Sequence, residues 1–345
     1  MDSSKKSPFI GGLIGFGKVA EKAHLPALQG LPGFRLGAVA EPLPARRELA
    51  RELLPGVRVY ESQAALLAGE SSLDFVAVCS PPASHVELVR EALTAGCHVL
   101  CEKPLTLDLA ALAGLEKLSQ AHKRALVTVH NWKYAPLYRA AQGALTDGLI
   151  GEVQEITWEV HRTSTSGGGL TDWRHSGAAA AGGILVDHGW HAFYLLLGLA
   201  GELPAVLRAH LTPAPANPQG VEHEAEVELR FPRARARLFL TWRAKVRLNR
   251  GRLLGTAGEL LLEDDRLLRR RDGQVELVAA FPEKLSGGSH HPEWTRGSWE
   301  EFAAEIRDPA LRGHNLAEAG HCARLISLAY RSHAAGGAWL PYPPG

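Results

Sequence analysis

The sequence predicts an α/β protein in two parts. The first, residues 1–130, is a doubly wound parallel sheet; the second, residues 131–345, is dominated by a large, mainly antiparallel sheet. Three observations carry that expectation. The chain has 345 residues, more than one ordinary hydrophobic core serves. Up to about residue 130, short apolar runs alternate with helix-compatible segments, the pattern of a parallel sheet covered on both faces. Beyond it, strand-like segments follow one another through short turns, as in an antiparallel meander.

In the first part the predicted strands are Phe9–Ile14, Phe34–Ala40, Val57–Tyr60, Asp74–Cys79, His98–Cys101 and Ala125–Val129. Helices Val19–Gln29, Pro44–Leu53, Gln63–Ala68, Ser84–Ala95 and Leu109–His122 fall between them. In the second part a helix over Leu137–Thr146 leads into a long strand, Glu152–Arg162. Ser164–Leu170 is a Ser/Thr/Gly loop without a P-loop signature, and Gly182–Leu199 reads as a helix. The meander comprises Ala205–Leu211, His223–Phe231, Arg235–Arg243, Arg252–Gly255, Glu259–Glu263, Leu267–Arg271 and Gln274–Phe281. Glu224, Glu226 and Glu228 alternate there with Ala225, Val227 and Leu229, a period of two. Helices Trp299–Ile306 and Asn315–Ala334 close the chain before a Pro-rich, non-helical tail.

The first strand breaks at Gly15-Phe16-Gly17, and a helix follows from Lys18 through Val19 and Ala20. In this Gly-x-Gly-x-x-Ala turn, Gly15 takes a positive φ. Gly17, without a Cβ, lets a pyrophosphate approach, and Ala20 packs the helix close to the strand. The N–H groups of the first helical turn would face phosphates. Glu41 follows the second predicted strand, 21 positions after Ala20, where a carboxylate binds an adenosine ribose; its plainer reading is a solvated loop acid. The compound pattern of a Rossmann-type strand, turn, helix, strand and acid favours a dinucleotide. Glu41 would repel a ribose 2′-phosphate, favouring NAD over NADP, although Arg46 and Arg47 stand close by.

The bulk composition excludes several classes. The chain is 46% hydrophobic and 22% charged, with 38 basic and 37 acidic residues and a net charge of +1. That balance gives no reason to expect a nucleic-acid or membrane partner. Cys79, Cys97, Cys101 and Cys322 form no Cys-x-x-Cys pair, so reduced thiols in the cytoplasm are expected. No apolar run approaches the ~20 residues of a membrane span, and Lys5-Lys6 before Phe9–Phe16 lacks the cleavage site of a signal peptide.

Chemistry must come from polar groups near the strand ends. Glu102-Lys103-Pro104 directly follows the fifth predicted strand. Pro104 disfavours a helical backbone at Lys103, leaving a lysine able to reach over the nicotinamide crevice or to pair with Glu102 at the surface. Ser80-Pro81-Pro82, with His85 in the next helix, would line a cofactor or form an ordinary turn. Asp187 and His191 lie four apart on a largely apolar helix and share a face. They form either a satisfied structural pair or an acid/base device in which the aspartate fixes the imidazole's protonation state. Adding His188 gives a third reading, a metal site. His188 is angularly displaced from Asp187, the trio makes a poor chelate, and no metal is expected.

Together these residues resemble the Gfo/Idh/MocA oxidoreductase family, which includes glucose–fructose oxidoreductase and inositol dehydrogenases. The resemblance spans nearly the whole chain. Its marks are the glycine turn with His24-Leu25-Pro26-Ala27-Leu28, Ser80 to His85, Glu102-Lys103-Pro104, His130-Asn131-Trp132-Lys133-Tyr134-Ala135-Pro136, Trp173-Arg174, and Gly182-Gly183 to Asp187 and His191.

The resemblance implies a Rossmann domain and a C-terminal α/β domain with an open sheet. That sheet would pack against another subunit's, in a homodimer or homotetramer. It implies NAD contacts from Gly15, Phe16, Gly17, Lys18, Val19, Glu41, Ser80, Pro81, His85, Glu102, Lys103, Asn131, Trp173 and Arg174. Lys103 would hydrogen-bond the reacting hydroxyl, and His191 would take its proton with Asp187 orienting it or sharing that work. The implied reaction transfers hydride between the nicotinamide and a secondary hydroxyl or ketone of a sugar, sugar derivative or cyclitol. Departures from the family's pattern are Ala83, where Asn is frequent, Lys133 for Arg, and His188 at a commonly apolar place. The polar segment Ser289–Trp294, with His290 and His291, either shapes substrate choice or is a surface turn. With Lys133, Tyr134 and His188, these polar additions favour a polyhydroxylated small molecule. Two alternatives stay open: a redox-neutral elimination or glycoside cleavage with a retained cofactor, and a non-catalytic NAD-responsive binding protein.

Overall fold

The computed structural model describes residues 7–163, 182–214 and 217–343. The chain divides into two compact units, Met1–Asn131 with His290–Gly320, and Trp132–Ser289 with His321–Gly345.

The first unit holds a six-stranded sheet in the order β3-β2-β1-β4-β5-β6. Its strands are β1 (Phe9–Ile14), β2 (Phe34–Ala40), β3 (Arg58–Tyr60), β4 (Phe75–Val78), β5 (His98–Cys101) and β6 (Leu126–Thr128). Every pairing is parallel. The strand order reverses between β1 and β4, the switch point at which such sheets bind ligands. β4 and β5 are buried at every residue, β4 as an unbroken apolar run and β5 with His98 leading three apolar residues.

Helices α1 (Leu25–Leu28), α2 (Pro44–Leu53), α3 (Gln63–Gly69), α4 (His85–Thr94) and α5 (Leu109–His122) occupy the connections, α1 continuing a π-helical turn over Ala20–His24. One core joins Val76, Val78, Val99 and Cys101 to Val89, Leu93, Leu112 and Leu115. Another joins Phe34, Phe75 and Leu100 to Trp299, Phe302 and Ile306. Those last three residues lie on a late helix, Pro292–Arg307. By its place in the chain this segment is expected with residues 131–345; in the structure it belongs to the first unit. Its apolar stripe fills an aromatic cluster in which Trp299 lies 5.0 Å from Phe34 and 5.5 Å from Phe75, contacts worth ~0.5–1.5 kcal/mol each beyond simple burial.

The second unit holds a nine-stranded sheet in the order β14-β13-β12-β11-β7-β10-β9-β8-β15. Its strands are β7 (Val153–His161), β8 (Val206–Ala214), β9 (Asn217–Arg230), β10 (Arg235–Thr241), β11 (Leu248–Gly255), β12 (Gly258–Glu263), β13 (Arg266–Arg271), β14 (Gln274–Ala280) and β15 (Leu340–Pro341). β7 and β10 pair in parallel and the other neighbours antiparallel. Along β9, Ala225, Val227 and Leu229 are buried. The other face carries ion pairs between strands, such as Arg235–Glu155 and Arg208–Glu228. Helix α6 (Pro136–Thr146) lies against β12 and β13, and α7 (Trp190–Ala200) against β7. The helix predicted over Gly182–Leu199 has a π-helical turn at Leu185–Gly189 before α7 begins, a widening that recurs at functional sites. The two closing helices are α8 (Pro292–Arg307) and α9 (His314–Ala334). No described helix is long and apolar enough to cross a membrane.

Candidate functional site

At the end of β1, Gly15 adopts φ +85°, and a Cβ there would sit 2.9 Å from the Ser80 nitrogen. No side chain can stand at this position without displacing backbone. A Cβ on Gly17 would meet nothing within 4 Å, so the turn is open on that side. The Glu21 amide then donates to the Gly17 carbonyl at 3.0 Å and the helix begins.

Glu41 is buried rather than a solvated loop acid. Its Oε2 accepts the Phe16 N–H at 2.7 Å and its Oε1 the Leu43 N–H at 2.8 Å. Each oxygen keeps a second acceptor position, which suits a ribose diol. Arg46 donates to the Phe16 carbonyl and to Glu21, and Arg47 to the carbonyls of Glu41 and Pro42. Arg46 is thus engaged by the glycine turn and Arg47 by the backbone after β2. An open glycine cradle, a helix start and a fixed carboxylate together fit a dinucleotide.

The ends of β4 and β5 carry the next group. Ser80 and Ser84 join through their hydroxyls at 2.7 Å, and Ser84 Oγ donates to the Pro81 carbonyl. Glu102 bridges two partners: Oε1 lies 2.8 Å from His24 Nε2, and Oε2 accepts the Lys103 N–H at 3.1 Å. Burial disfavours a charged His24, but Cys79 and Glu102 outweigh it and raise the imidazole to about 10. Burial likewise opposes a charged Glu102, yet His24 and Lys103 hold its carboxyl below the ordinary range. His24 and Glu102 therefore form a buried ion pair behind Lys103. His85 is fully buried with both ring nitrogens on backbone carbonyls, so it stands behind the loop instead of presenting an atom to a ligand. Asn131 begins a short 3-10 turn, Asn131–Tyr134, and is part-buried.

In the second unit Trp132 and His191 stack at 4.6 Å with an 11° angle between their rings. Tyr194 Oη accepts the Trp132 N–H at 3.1 Å and lies 2.7 Å from His191 Nδ1. Asp187 Oδ2 is 3.6 Å from His188 Nε2. Arg162 is buried with its guanidinium 5.6 Å from the Trp132 ring centroid, and it donates to the His161 carbonyl and Asn249 Oδ1. Burial lowers Arg162 to about 9, Arg247 adds to that, and Asp187 and Asp264 oppose it. Glu222 accepts the N–H groups of Gly183 and Leu185 at 2.9 and 3.0 Å and the Tyr330 hydroxyl at 3.0 Å. It caps the start of the Asp187-bearing turn, where a carboxylate complements the helix dipole, and its burial raises its pKa.

Lys133 and Tyr134 are part-buried in the second unit, with Arg139 5.3 Å from the Tyr134 ring centroid. His188 is also there, 6.2 Å from Trp132 between ring centroids. His290 and His291 belong to the first unit, and His291 is buried in a 3.5 Å stack on Trp294. Trp173, Arg174 and the Ser164–Leu170 loop lie outside the described residues. Among the described residues no three His, Cys, Asp or Glu side chains converge as metal ligands. Sequence reasoning missed Arg162, Tyr194 and Glu222 as site residues. Glu222 gave no sequence signal, because it heads the same two-residue alternation as Glu224 and only the structure shows its side chain to be buried.

A family model described as "Oxidoreductase family, NAD-binding Rossmann fold" matches residues 10–131, and one described as "GFO/IDH/MocA C-terminal domain" matches residues 138–261. The chain is 30% identical to an inositol 2-dehydrogenase of Rhizobium meliloti over 199 residues, 57% of either chain. It is 35% identical to a galactose 1-dehydrogenase of Pseudomonas fluorescens over 148 residues, 43% of this chain and 45% of that one. The matched stretches thus span about half the length of these curated relatives. A crystal structure of an inositol dehydrogenase homolog from Azotobacter vinelandii, complexed with NADH and myo-inositol, shares the fold. Its TM-score is 0.83 at 22% identity, covering 97% of this chain and 98% of that one.

Proposed function

Because this chain belongs to the Gfo/Idh/MocA oxidoreductase family, with its NAD-binding Rossmann fold, we propose that it is an NAD-dependent dehydrogenase acting on a secondary hydroxyl of a sugar, sugar derivative or cyclitol. The observation that carries this reading is the seating of Lys103. It stands at the carboxyl end of β5, its amide held by a carboxylate that is itself fixed by His24, on the same sheet as the glycine turn.

When bound, NAD supplies the hydride acceptor. The amides after Gly15 would hold its phosphates and Glu41 its adenosine ribose. Lys103 would donate a hydrogen bond to the substrate hydroxyl and offset the negative charge that grows as the proton leaves. His191 would take that proton. If Nδ1–H of His191 donates to Tyr194, Nε2 keeps the lone pair a base needs. Asp187 would orient the imidazole or share the proton. Reduction of the corresponding ketone uses the same groups in reverse.

The test incubates the purified protein with a panel of sugars and polyols, with NAD or NADP, following NADH or NADPH and product masses. NAD is expected to be preferred, and Lys103→Ala and His191→Ala are each expected to lower turnover by ~10²–10⁴-fold. Near-normal turnover in both variants with an intact fold removes the mechanism. Release of an aglycone without net NADH would point to the redox-neutral alternative.

Two wider readings accompany it. The four cysteines are free and buried, which supports a reducing, cytoplasmic setting. Apolar residues exposed on β14, Val275, Leu277 and Val278, support a homo-oligomer formed through the second sheet.

A further inference from the structure

His85, the first residue of α4, serves none of the steps above. Its side chain is fully buried. Nδ1 lies 2.8 Å from the Pro104 carbonyl oxygen and Nε2 lies 2.8 Å from the Ser80 carbonyl oxygen. A carbonyl oxygen only accepts. A neutral imidazole carries one N–H, so it can satisfy one of these carbonyls while turning a lone pair toward the other at hydrogen-bond distance. An imidazolium donates to both. We propose that His85 is held as an imidazolium and is a positioning residue for Lys103, clamping the turn after β4 to the segment after β5.

The geometry shows what the clamp restrains. On the amino side of Lys103, Glu102 accepts the lysine's own N–H. On the carboxyl side, the next carbonyl along, that of Pro104, is held by His85. The lysine is therefore gripped through its backbone at both ends, and its side chain need not be tethered for its origin to be fixed. The second arm of the clamp holds Ser80, whose backbone sets the limit on Gly15 described above. One ring thus registers the glycine turn's neighbour against the lysine's strand end.

The charged groups facing the ring are Glu102, which favours the cation, and Lys103, which opposes it. Burial is the largest influence and draws the imidazole below its ordinary value, while the two carbonyls oppose it. We take the carbonyls to decide, because a neutral ring leaves one buried acceptor facing a lone pair, an arrangement native interiors avoid.

The functional part of this inference rests on the reading of Lys103 as the group that meets the substrate; the charge state of His85 does not. The test therefore has two arms. Nitrogen-15 NMR of the ligand-free full chain, with His85→Gln as the assignment reference, reads the ring directly. Both nitrogens are expected to be protonated at pH 7; one bare ring nitrogen overturns the proposal. Glutamine keeps one donor nitrogen and presents a carbonyl oxygen at the other place, and so can hold one arm of the clamp alone. In His85→Gln, kcat is expected to fall by about ten- to hundredfold with KM changed far less, the pattern of a displaced but present lysine. An unchanged kcat overturns the positioning role. If His85→Gln does not fold, the wild-type spectrum, assigned by its contacts to Ser80 and Pro104, still decides the charge. If the wild type turns over no sugar or polyol, the dehydrogenase reading falls. The clamp is then judged by the spectrum and by amide exchange at Ser80–Ser84 and Lys103–Leu105, which should quicken in His85→Gln and overturns the clamp if it does not.

Discussion

His24 and Glu102 show how a largely buried pair can seat the backbone of a part-buried lysine. Removing one partner of such a pair leaves the other charged and unpaired in the interior, at a cost of ~3–5 kcal/mol. His24→Gln is expected to lose stability on that scale in urea unfolding near neutral pH. The pH dependence has a definite sign. His24 is raised to about 10, so its contribution is complete below the unfolded value of ~6.5 and is lost as pH climbs through about 10. Glu102 is lowered, so its share is present above the ordinary carboxylate value and lost as pH falls through its folded value. Wild-type stability should therefore decline from neutral pH toward pH ~10, and His24→Gln should lack that decline. A parallel decline in both proteins would show that other groups cause it.

At this scale the sequence was legible wherever spacing alone defines a role. Gly15, Gly17 and Glu41 are fixed by distance along one strand–turn–helix–strand unit, and the structure gives Gly15 its positive φ, Gly17 its open side and Glu41 its place directly after β2. His24 and Glu222 were not legible, because their partners lie 78 and 37–39 residues away. Nothing local distinguishes them from a helix histidine or a strand glutamate.

Among the elements, the helix Pro292–Arg307 departs furthest from what its sequence neighbours imply. Its apolar stripe was readable, but a stripe does not say which sheet it covers. Trp299, with no exposed surface among Phe34, Phe75 and Phe302, makes the decision testable. Trp299→Ala should destabilise by ~3–5 kcal/mol. The first unit should be the one affected, seen as loss of protection of β1 and β4 amides in hydrogen exchange. Trp299→Phe should cost much less, since the indole N–H has no partner and its removal strands nothing. Equal losses in the two variants would contradict this. The meander was legible as strands because alternation marks each one. Boundaries were less so: β11 begins at Leu248, four residues before the predicted Arg252, where Asn249 and Arg250 offer no apolar alternation. β15 was hidden in a tail whose prolines read as irregular.

For the whole molecule, the six-stranded parallel sheet and the mostly antiparallel nine-stranded sheet follow the predicted fold class. The proposed oligomer belongs to this scale. Edge strands with exposed apolar residues are liabilities unless covered, and β14 leaves Leu277 60% and Val275 53% exposed. A second copy covering them predicts a dimer or larger species in sedimentation at micromolar concentration, weakened by Leu277→Lys. A monomer under those conditions would remove the proposal.

The first unit is assembled from two stretches of chain, ending at Asn131 and at Gly320. On a ribosome this imposes an order of events. When Asn131 has been made, the face of Phe34 and Phe75 has no Trp299 or Phe302 to meet. At the ~5–20 residues per second of synthesis, the remaining residues take roughly 10 to 40 s. The nucleotide-binding unit, begun before the second one, is thus finished only after most of the second has been made, and its half-built aromatic face is what a nascent-chain chaperone would encounter.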